Sequence, residues 1–321
     1  MKKIYFVLLM MCCVLPVSAE QWLVMGFDDW PPFTGKGGSP RVAVEMLTQA
    51  LERLNYHVDR VPLPQGQFSR VFTDDQIQVS PALWHDVSRE EIMIYTDPIF
   101  ENRLVLVGRP GSNAESIGLS DLQGKKLAVV DGYAYGEKLA SSPAELVMGK
   151  SDAANIRSLM KGDVDYVLIS ELLMIYAKRA QKQGFRDEME VGKHPQITRQ
   201  IHFAVKKTTP NAKKIVKQLN GEIAKMMEDG SFYEILGINR IIKDINGDGK
   251  PEVLLMGDPA RTLNPEEVYY TGGNMDIPET DMEHWYMVDG KYYKTMEEVP
   301  ADKREKMNKM AEQQIKFLIE G

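Results

Sequence analysis

The alternation of short apolar runs with amphipathic stretches is what most constrains this chain. Trp22 to Phe27, Tyr56 to Val61, Val79 to Trp84 and Leu104 to Val107 read as strands. Between the first two, Val44, Leu47, Leu51 and Leu54 recur at spacings of three and four, the stripe of a helix with one buried face. Ser39-Pro40 stands where a cap and a first-turn proline belong. Strand, helix, strand in that order requires crossover connections, and so an α/β fold with a parallel or mixed sheet covered by helices.

The polar, turn-rich link Gly108-Arg109-Pro110-Gly111-Ser112-Asn113 breaks the pattern, which then restarts. Lys126 to Val130 and Asp165 to Ile169 read as strands, and Ala153 to Met160 and Leu172 to Gln183 as helices. Ile201 to Val205 returns as a strand, followed by a long helix from Asn211 to Met227 that Asp229-Gly230 stops. Asp131-Gly132-Tyr133-Ala134-Tyr135-Gly136 ends one strand and is expected to open a helix. That order suggests backbone N–H groups pointing at whatever lies beyond the strand end.

At 321 residues, with 43% hydrophobic and 26% charged residues, the chain suits one large or two moderate domains and is ordinary for a soluble globular protein. A net charge of −7 without a basic cluster argues against nucleic acid. Lys2 and Lys3 before the apolar segment from Ile4 to Val17, then Val17-Ser18-Ala19, read as a secretory signal peptide cleaved after Ala19. Cys12 and Cys13 lie inside it, so the mature chain is expected to carry no thiol and no disulfide. An exported, soluble protein follows, and a monomer is expected.

The richest stretch for ligand chemistry runs from Trp84 to Phe100. Arg89 stands on a polar turn just beyond a strand, where α/β folds present ligand contacts. Its planar fork of donors suits a carboxylate, although pairing with Glu90 or Asp86 on the surface is the competing reading. Trp84 lines the cleft or closes the core at its strand end, and His85 reads as a surface group. Trp30-Pro31-Pro32-Phe33 is a stiff loop holding two aromatic rings after the first strand, and one of Tyr133 and Tyr135 is expected to face the ligand.

Several pieces now stand in order: Trp30-Pro31-Pro32-Phe33, the run from Arg89 to Tyr95-Thr96-Asp97-Pro98, and Asp121-Leu122-Gln123-Gly124-Lys125-Lys126. Gly162-Asp163-Val164-Asp165 and Glu228-Asp229-Gly230-Ser231-Phe232 complete them. Together they resemble the bacterial extracellular solute-binding proteins of family 3, the amino-acid-type periplasmic receptors of ABC importers. The resemblance covers roughly residues 21–238. It implies a two-lobed periplasmic binding protein fold of type II, with two crossing hinge strands expected near Val107-Gly108-Arg109 and Phe203-Ala204-Val205. Lobe 1 would comprise residues 20–108 and 201–238, lobe 2 residues 109–200.

The resemblance implies that Arg89 clamps a carboxylate, that Trp30 stacks on the ligand, and that the stretch Gly132-Tyr133-Ala134 adds backbone donors; Phe33 and Trp84 are expected as further ligand contacts. The family's aspartate for an α-amino group falls on Ser170, with Glu171 beside it as the substitute. Its threonine before the arginine is replaced by Asp86. The implied function is capture of a small polar, carboxylate-bearing solute, an amino acid or similar, for a membrane permease. A sensory receptor for a membrane partner is the alternative. A dehydratase-like enzyme on the same scaffold would need Glu171 as general acid.

Residues 239–321 form an extension. Asp244, Asn246, Asp248, the Lys250 carbonyl and Glu252 take the first, third, fifth, seventh and ninth positions of a calcium-like loop, with Gly249 at the sixth for the turn. A structural Ca²⁺ is one reading and a polar β-turn without an ion the other. His284 to Tyr293 reads as a hairpin around Asp289-Gly290, and a helix from Pro300 carries Met307, Met310, Ala311, Phe317 and Leu318 on one stripe. The extension is expected to pack on lobe 1.

Overall fold

The run Val79–Trp84 is buried at every position, Ser80 and Pro81 included. A strand buried along its whole length belongs at the centre of a sheet covered on both faces. Pro81 has no N–H to give such a sheet, and the neighbouring strand bulges between His202 and Ala204 opposite it. Thr96 compensates: its N–H donates to the Phe203 carbonyl at 2.9 Å, and its hydroxyl accepts the Phe203 N–H at 3.1 Å.

This computed structural model describes residues 21–35, 41–64, 67–180, 188–236, 240–255, 269–270, 282–305 and 307. The signal peptide, the Ser39-Pro40 cap and the stripe positions Met310, Ala311, Phe317 and Leu318 lie outside them.

The first lobe is laid down by β1 (Gln21–Phe27), α1 (Val42–Arg53), β2 (Tyr56–Pro62), α2 (Arg70–Thr73), β3 (Val79–Trp84), β4 (Met93–Tyr95) and β5 (Phe100–Gly108). The second comprises β6 (Lys126–Val130), α3 (Glu137–Ala140), β7 (Glu145–Gly149), α4 (Asp152–Lys161), β8 (Tyr166–Ser170), α5 (Glu171–Ala180) and β9 (Glu190–Val191). The chain returns through β10 (Ile197–Lys206) to α6 (Ala212–Asp229) and α7 (Ser231–Leu236). The sheet order is β2-β1-β3-β10-β5-β8-β6-β7, with β1 parallel to β2 and β3, and β6 parallel to β7 and β8. It is the mixed sheet that the alternation of elements requires.

The lobes join where β5 and β10 pair with each other, antiparallel, over Phe100–Leu104 and Ile197–Ile201. Beyond Leu104, β5 pairs with β8 in the second lobe, whereas from Ile201 onward β10 pairs with β3 and β4 in the first. The crossing therefore lies earlier on both strands than the expected 107–109 and 203–205. Pairing between strands about a hundred residues apart decides that position, and no local signal marks it.

The extension builds a sheet of its own, in the order β13-β11-β12-β14-β15: β11 (Arg240–Lys243), β12 (Glu252–Leu255), β13 (Tyr269–Tyr270), β14 (His284–Val288) and β15 (Lys291–Tyr293). It docks on lobe 1 as expected, because Ile241, Leu254 and Met287 share one buried core with Phe232, Tyr233 and Leu236 of α7. The Asp289-Gly290 turn has both residues at positive φ, 46° and 72°, the geometry of a tight two-residue hairpin. Residues 301–305 are helical, and Met307 is buried against Val288 and Val299.

Candidate functional site

The C-terminal ends of β1 and β3 and the loop after β6 meet where the two lobes face each other. From lobe 1 come Trp30, on the loop after β1, and Trp84, the last residue of β3. From lobe 2 come Tyr133 and Tyr135, on the loop after β6. Trp84 lies edge-on to Tyr133 and Tyr135, with centroids 5.4 and 5.5 Å apart, and Trp30 meets Tyr133 at 5.5 Å. Trp30 and Trp84 pack edge-on at 5.5 Å. Each such pair is worth about 0.5–1.5 kcal/mol beyond burial, so the rings hold the lobes together by a few kcal/mol at most.

Asp28, Trp30, Trp84, Arg89, Gly132 and Tyr133 are among the residues around the remaining space, whose accessible volume is about 20 Å³. That is room for one water. A solute of amino-acid size enters only when the lobes part, and the lobe crossing at β5 and β10 is where such a motion would hinge.

Arg89 ends a 3₁₀ turn, Val87–Arg89, whose start is held by Asp86 accepting the Ser88 N–H and hydroxyl at 2.9 and 2.7 Å. Its guanidinium lies 4.8 Å above the Phe72 ring, and its Nε is 4.0 Å from Asp86 Oδ2. Arg89 thus makes a loose surface pair with Asp86 and also borders the space between the lobes. His85 is exposed, with Nε2 2.6 Å from Glu90 Oε1.

Other expected site residues are placed elsewhere. Phe33 is fully buried, 4.9 Å from Trp30 and 5.7 Å from Phe100, so it supports the Trp30 ring from the core and does not line the cleft. Ser170 is buried and donates to Asn102 Oδ1 at 2.7 Å. Glu171 pairs with the buried Arg103, Nε to Oε2, at 3.0 Å. Neither Ser170 nor Glu171 lines the space between the lobes. No helix begins at Gly132: α3 is a single turn starting at Glu137. The Tyr133 and Tyr135 N–H groups turn to the carbonyls of Val130 and Tyr133, because Gly132 and Gly136, both at positive φ, coil the loop on itself.

Two acids that the sequence reading did not select stand at the lobe interface. Asp28, half-buried, follows β1, and Asp152, 9% exposed, opens α4. Burial pushes the Asp28 carboxyl up to about 6, with Asp29 adding to the shift and the Thr34 hydroxyl opposing it. Burial pushes Asp152 up to about 7, and the Asp28 charge adds to it. Burial also raises Tyr133 well above the usual phenol value, with Asp28 and Asp152 contributing. Asp28 was findable, since strand ends in α/β folds face ligands. Asp152 was not, because an acid in a helix's first turn is ordinary.

In the extension, β11 and β12 form a hairpin whose loop closes on itself. Asp244 accepts the Gly247 and Gly249 N–H groups at 2.7 and 2.9 Å, and Glu252 accepts the Ile245 N–H at 2.7 Å. The oxygen types suit calcium. The Asn246 amide nitrogen, however, stands between Asp248 and Glu252, at 3.3 and 2.8 Å. Among the described residues no three His, Cys, Asp or Glu side chains group as a metal site.

No protein-family model matches the chain, and no curated protein sequence matches it. Solved structures do match in fold. The GluR0 ligand-binding core from Nostoc punctiforme, in complex with L-glutamate, is 14% identical, with a TM-score of 0.56 over 66% of this chain and 96% of that one. A mutant of ArgBP from T. maritima is 19% identical, with a TM-score of 0.56 over 67% and 93%. The substrate-binding protein of an amino acid ABC transporter is 16% identical, with a TM-score of 0.54 over 67% and 97%. The fold is the two-lobed α/β fold of periplasmic binding proteins. Among the described residues no helix is long and apolar enough to cross a membrane.

Proposed function

We propose that this chain is a periplasmic solute-binding protein of the family 3 type, which captures a small polar, carboxylate-bearing solute for an importer. The carrying observation is Arg89, which stands at the mouth of an aromatic-lined cleft between two lobes. Its fork receives the carboxylate, the rings of Trp30 and Trp84 cover the apolar part, and closure excludes water. Glu171, the general acid that a dehydratase would need, is engaged by Arg103, which supports binding over turnover. The extension docked on lobe 1 supports a second reading, a receptor that presents its closed form to a membrane partner.

A thermal-shift screen of the mature chain against amino acids and small carboxylic acids tests the proposal, because a ligand that binds only the native state raises the midpoint. Arg89→Ala is expected to weaken a carboxylate hit by about 2 kcal/mol, or thirtyfold. A hit indifferent to that change would remove Arg89 from the site.

The loop from Asp244 to Glu252 is read in the same way, as a structural calcium site formed once the Asn246 side chain turns. Calcium should then raise the melting midpoint of the chelated protein, and Asp248→Ala should abolish the response. An unresponsive midpoint would leave the hairpin held by its hydrogen bonds alone.

A further inference from the structure

Ser170 and Glu171, expected at the ligand, are turned onto the crossing strand instead. The backbone ladder between β5 and β8 ends at the pair Leu104–Ser170, and the chain enters α5 at Glu171. On the β5 side Asn102 and Arg103 run on, paired through their backbone with Arg199 and Thr198 of β10. Past the last ladder pair, side chains take over from the backbone. Ser170 Oγ donates to Asn102 Oδ1 at 2.7 Å, and Arg103 Nε stands 3.0 Å from Glu171 Oε2. These are interior contacts: Asn102 is 0% exposed, Ser170 2% and Arg103 3%.

The two contacts grip β5 from opposite faces, because successive side chains of a strand point to opposite sides. Leu104 and Leu106 belong to the large core that both lobes share, Val105 and Val107 to a separate core of lobe 2. Asn102 falls in phase with the first pair and Arg103 with the second. Turning lobe 2 about the crossing twists β5 beside Leu104, so either sense of rotation strains one of the two contacts. The Asn102 amide nitrogen adds a bias of its own. It is buried without an acceptor, and such a donor is costly where water cannot reach it.

The structure assigns Asn102, Arg103, Ser170 and Glu171 the role of positioning residues: a latch that holds lobe 2 at a set angle on the crossing strand and decides how much of the ligand-free chain is closed. Ser170 and Glu171 resist opening, and the unpaired Asn102 amide favours it, since water satisfies that donor once the lobes part. The inference rests on the reading that the lobes part to admit a solute, and it names what regulates that step. A receptor whose competent form is only a fraction of the population binds more weakly by that fraction. The latch therefore tunes affinity without touching the solute.

Spin labels at Asp59→Cys and Met148→Cys test it in the mature chain without any solute. Both positions are exposed, and they lie on β2 and β7, the two opposite edges of the long sheet, so the distance between them follows the lobe angle. Cys12 and Cys13 are left out with the signal segment, so no other thiol takes a label. Ser170→Ala leaves the Asn102 side chain with no partner at either end, and should raise the open-to-closed ratio by about fivefold. Asn102→Leu combined with Ser170→Ala removes both polar groups and should bring the ratio back to that of the wild type or below it. Glu171→Gln should open the lobes as Ser170→Ala does. Distances unchanged in Ser170→Ala and Glu171→Gln, with only the melting midpoints lowered, would reduce the four residues to packing and overturn the latch. A double variant as open as Ser170→Ala alone would overturn it too, and that comparison stands even if Glu171→Gln does not fold. Because no solute is present, either failure leaves the solute-binding reading to its own screen.

Discussion

Asp152→Asn should stabilise the protein at about pH 8 and leave it nearly unchanged at about pH 3. The sign follows from the direction of the shift. An aspartate raised from 3.8 to about 7 is held more readily as the neutral acid when folded than when unfolded. Between those values the folded chain binds more protons, so stability falls as pH rises, opposite to a salt-bridged carboxylate. Below 3.8 both forms are protonated, and asparagine substitutes for a neutral acid of the same shape. Above about 7 the wild-type chain carries the whole penalty, at most about 4 kcal/mol at 1.36 kcal/mol per unit. Parting of the lobes lets water reach the carboxylate, so about half of that, near 2 kcal/mol or roughly 5 °C in midpoint, is the expected gain. Melting curves across the pH range would measure it. A variant that melts with the wild type at pH 8 would mean that the Asp152 carboxylate is hydrated in the folded chain.

Gly290→Ala should be the most destabilising single methyl in the extension. Gly290 sits at φ 72°, and a Cβ there would fall inside contact distance of the Glu228 carbonyl oxygen at the end of α6. That oxygen belongs to helix backbone and cannot swing aside. Gly111 supplies the control, because its φ is 80° but nothing lies within 4 Å of its Cβ position. Gly111→Ala should cost only the left-handed strain, about 1 kcal/mol. Gly290→Ala should cost about 3 kcal/mol, or lift the β14–β15 hairpin from the helix end. Denaturant titration gives the first outcome and limited proteolysis the second. Equal costs for the two variants would show that the hairpin does not press on α6.

Strand and helix order, the strand Val79–Trp84, the long helix ending at Asp229-Gly230 and the Asp289-Gly290 hairpin were all legible in the chain. Each depends on local periodicity or turn chemistry, which neighbouring residues carry within a few positions. Trp30, Trp84, Arg89, Gly132 and Tyr133 were legible as residues around the cleft for a related reason: they lie at or after the C-terminal ends of β1, β3 and β6, and in each lobe the C-terminal ends of the parallel strands face the other lobe. What only the tertiary structure decided were relations across the two lobes. The crossing at Phe100–Leu104 and Ile197–Ile201 depends on which distant strand each half of β5 meets. Phe33 became core because Phe100 arrives beneath it, and Glu171 was taken out of the cleft by Arg103. Asp152 reads locally as an exposed acid in a helix's first turn. It became a buried, repelled carboxyl only because packing of the lobes removed its water and brought Asp28 close, and solvation and charge proximity are set by the whole fold.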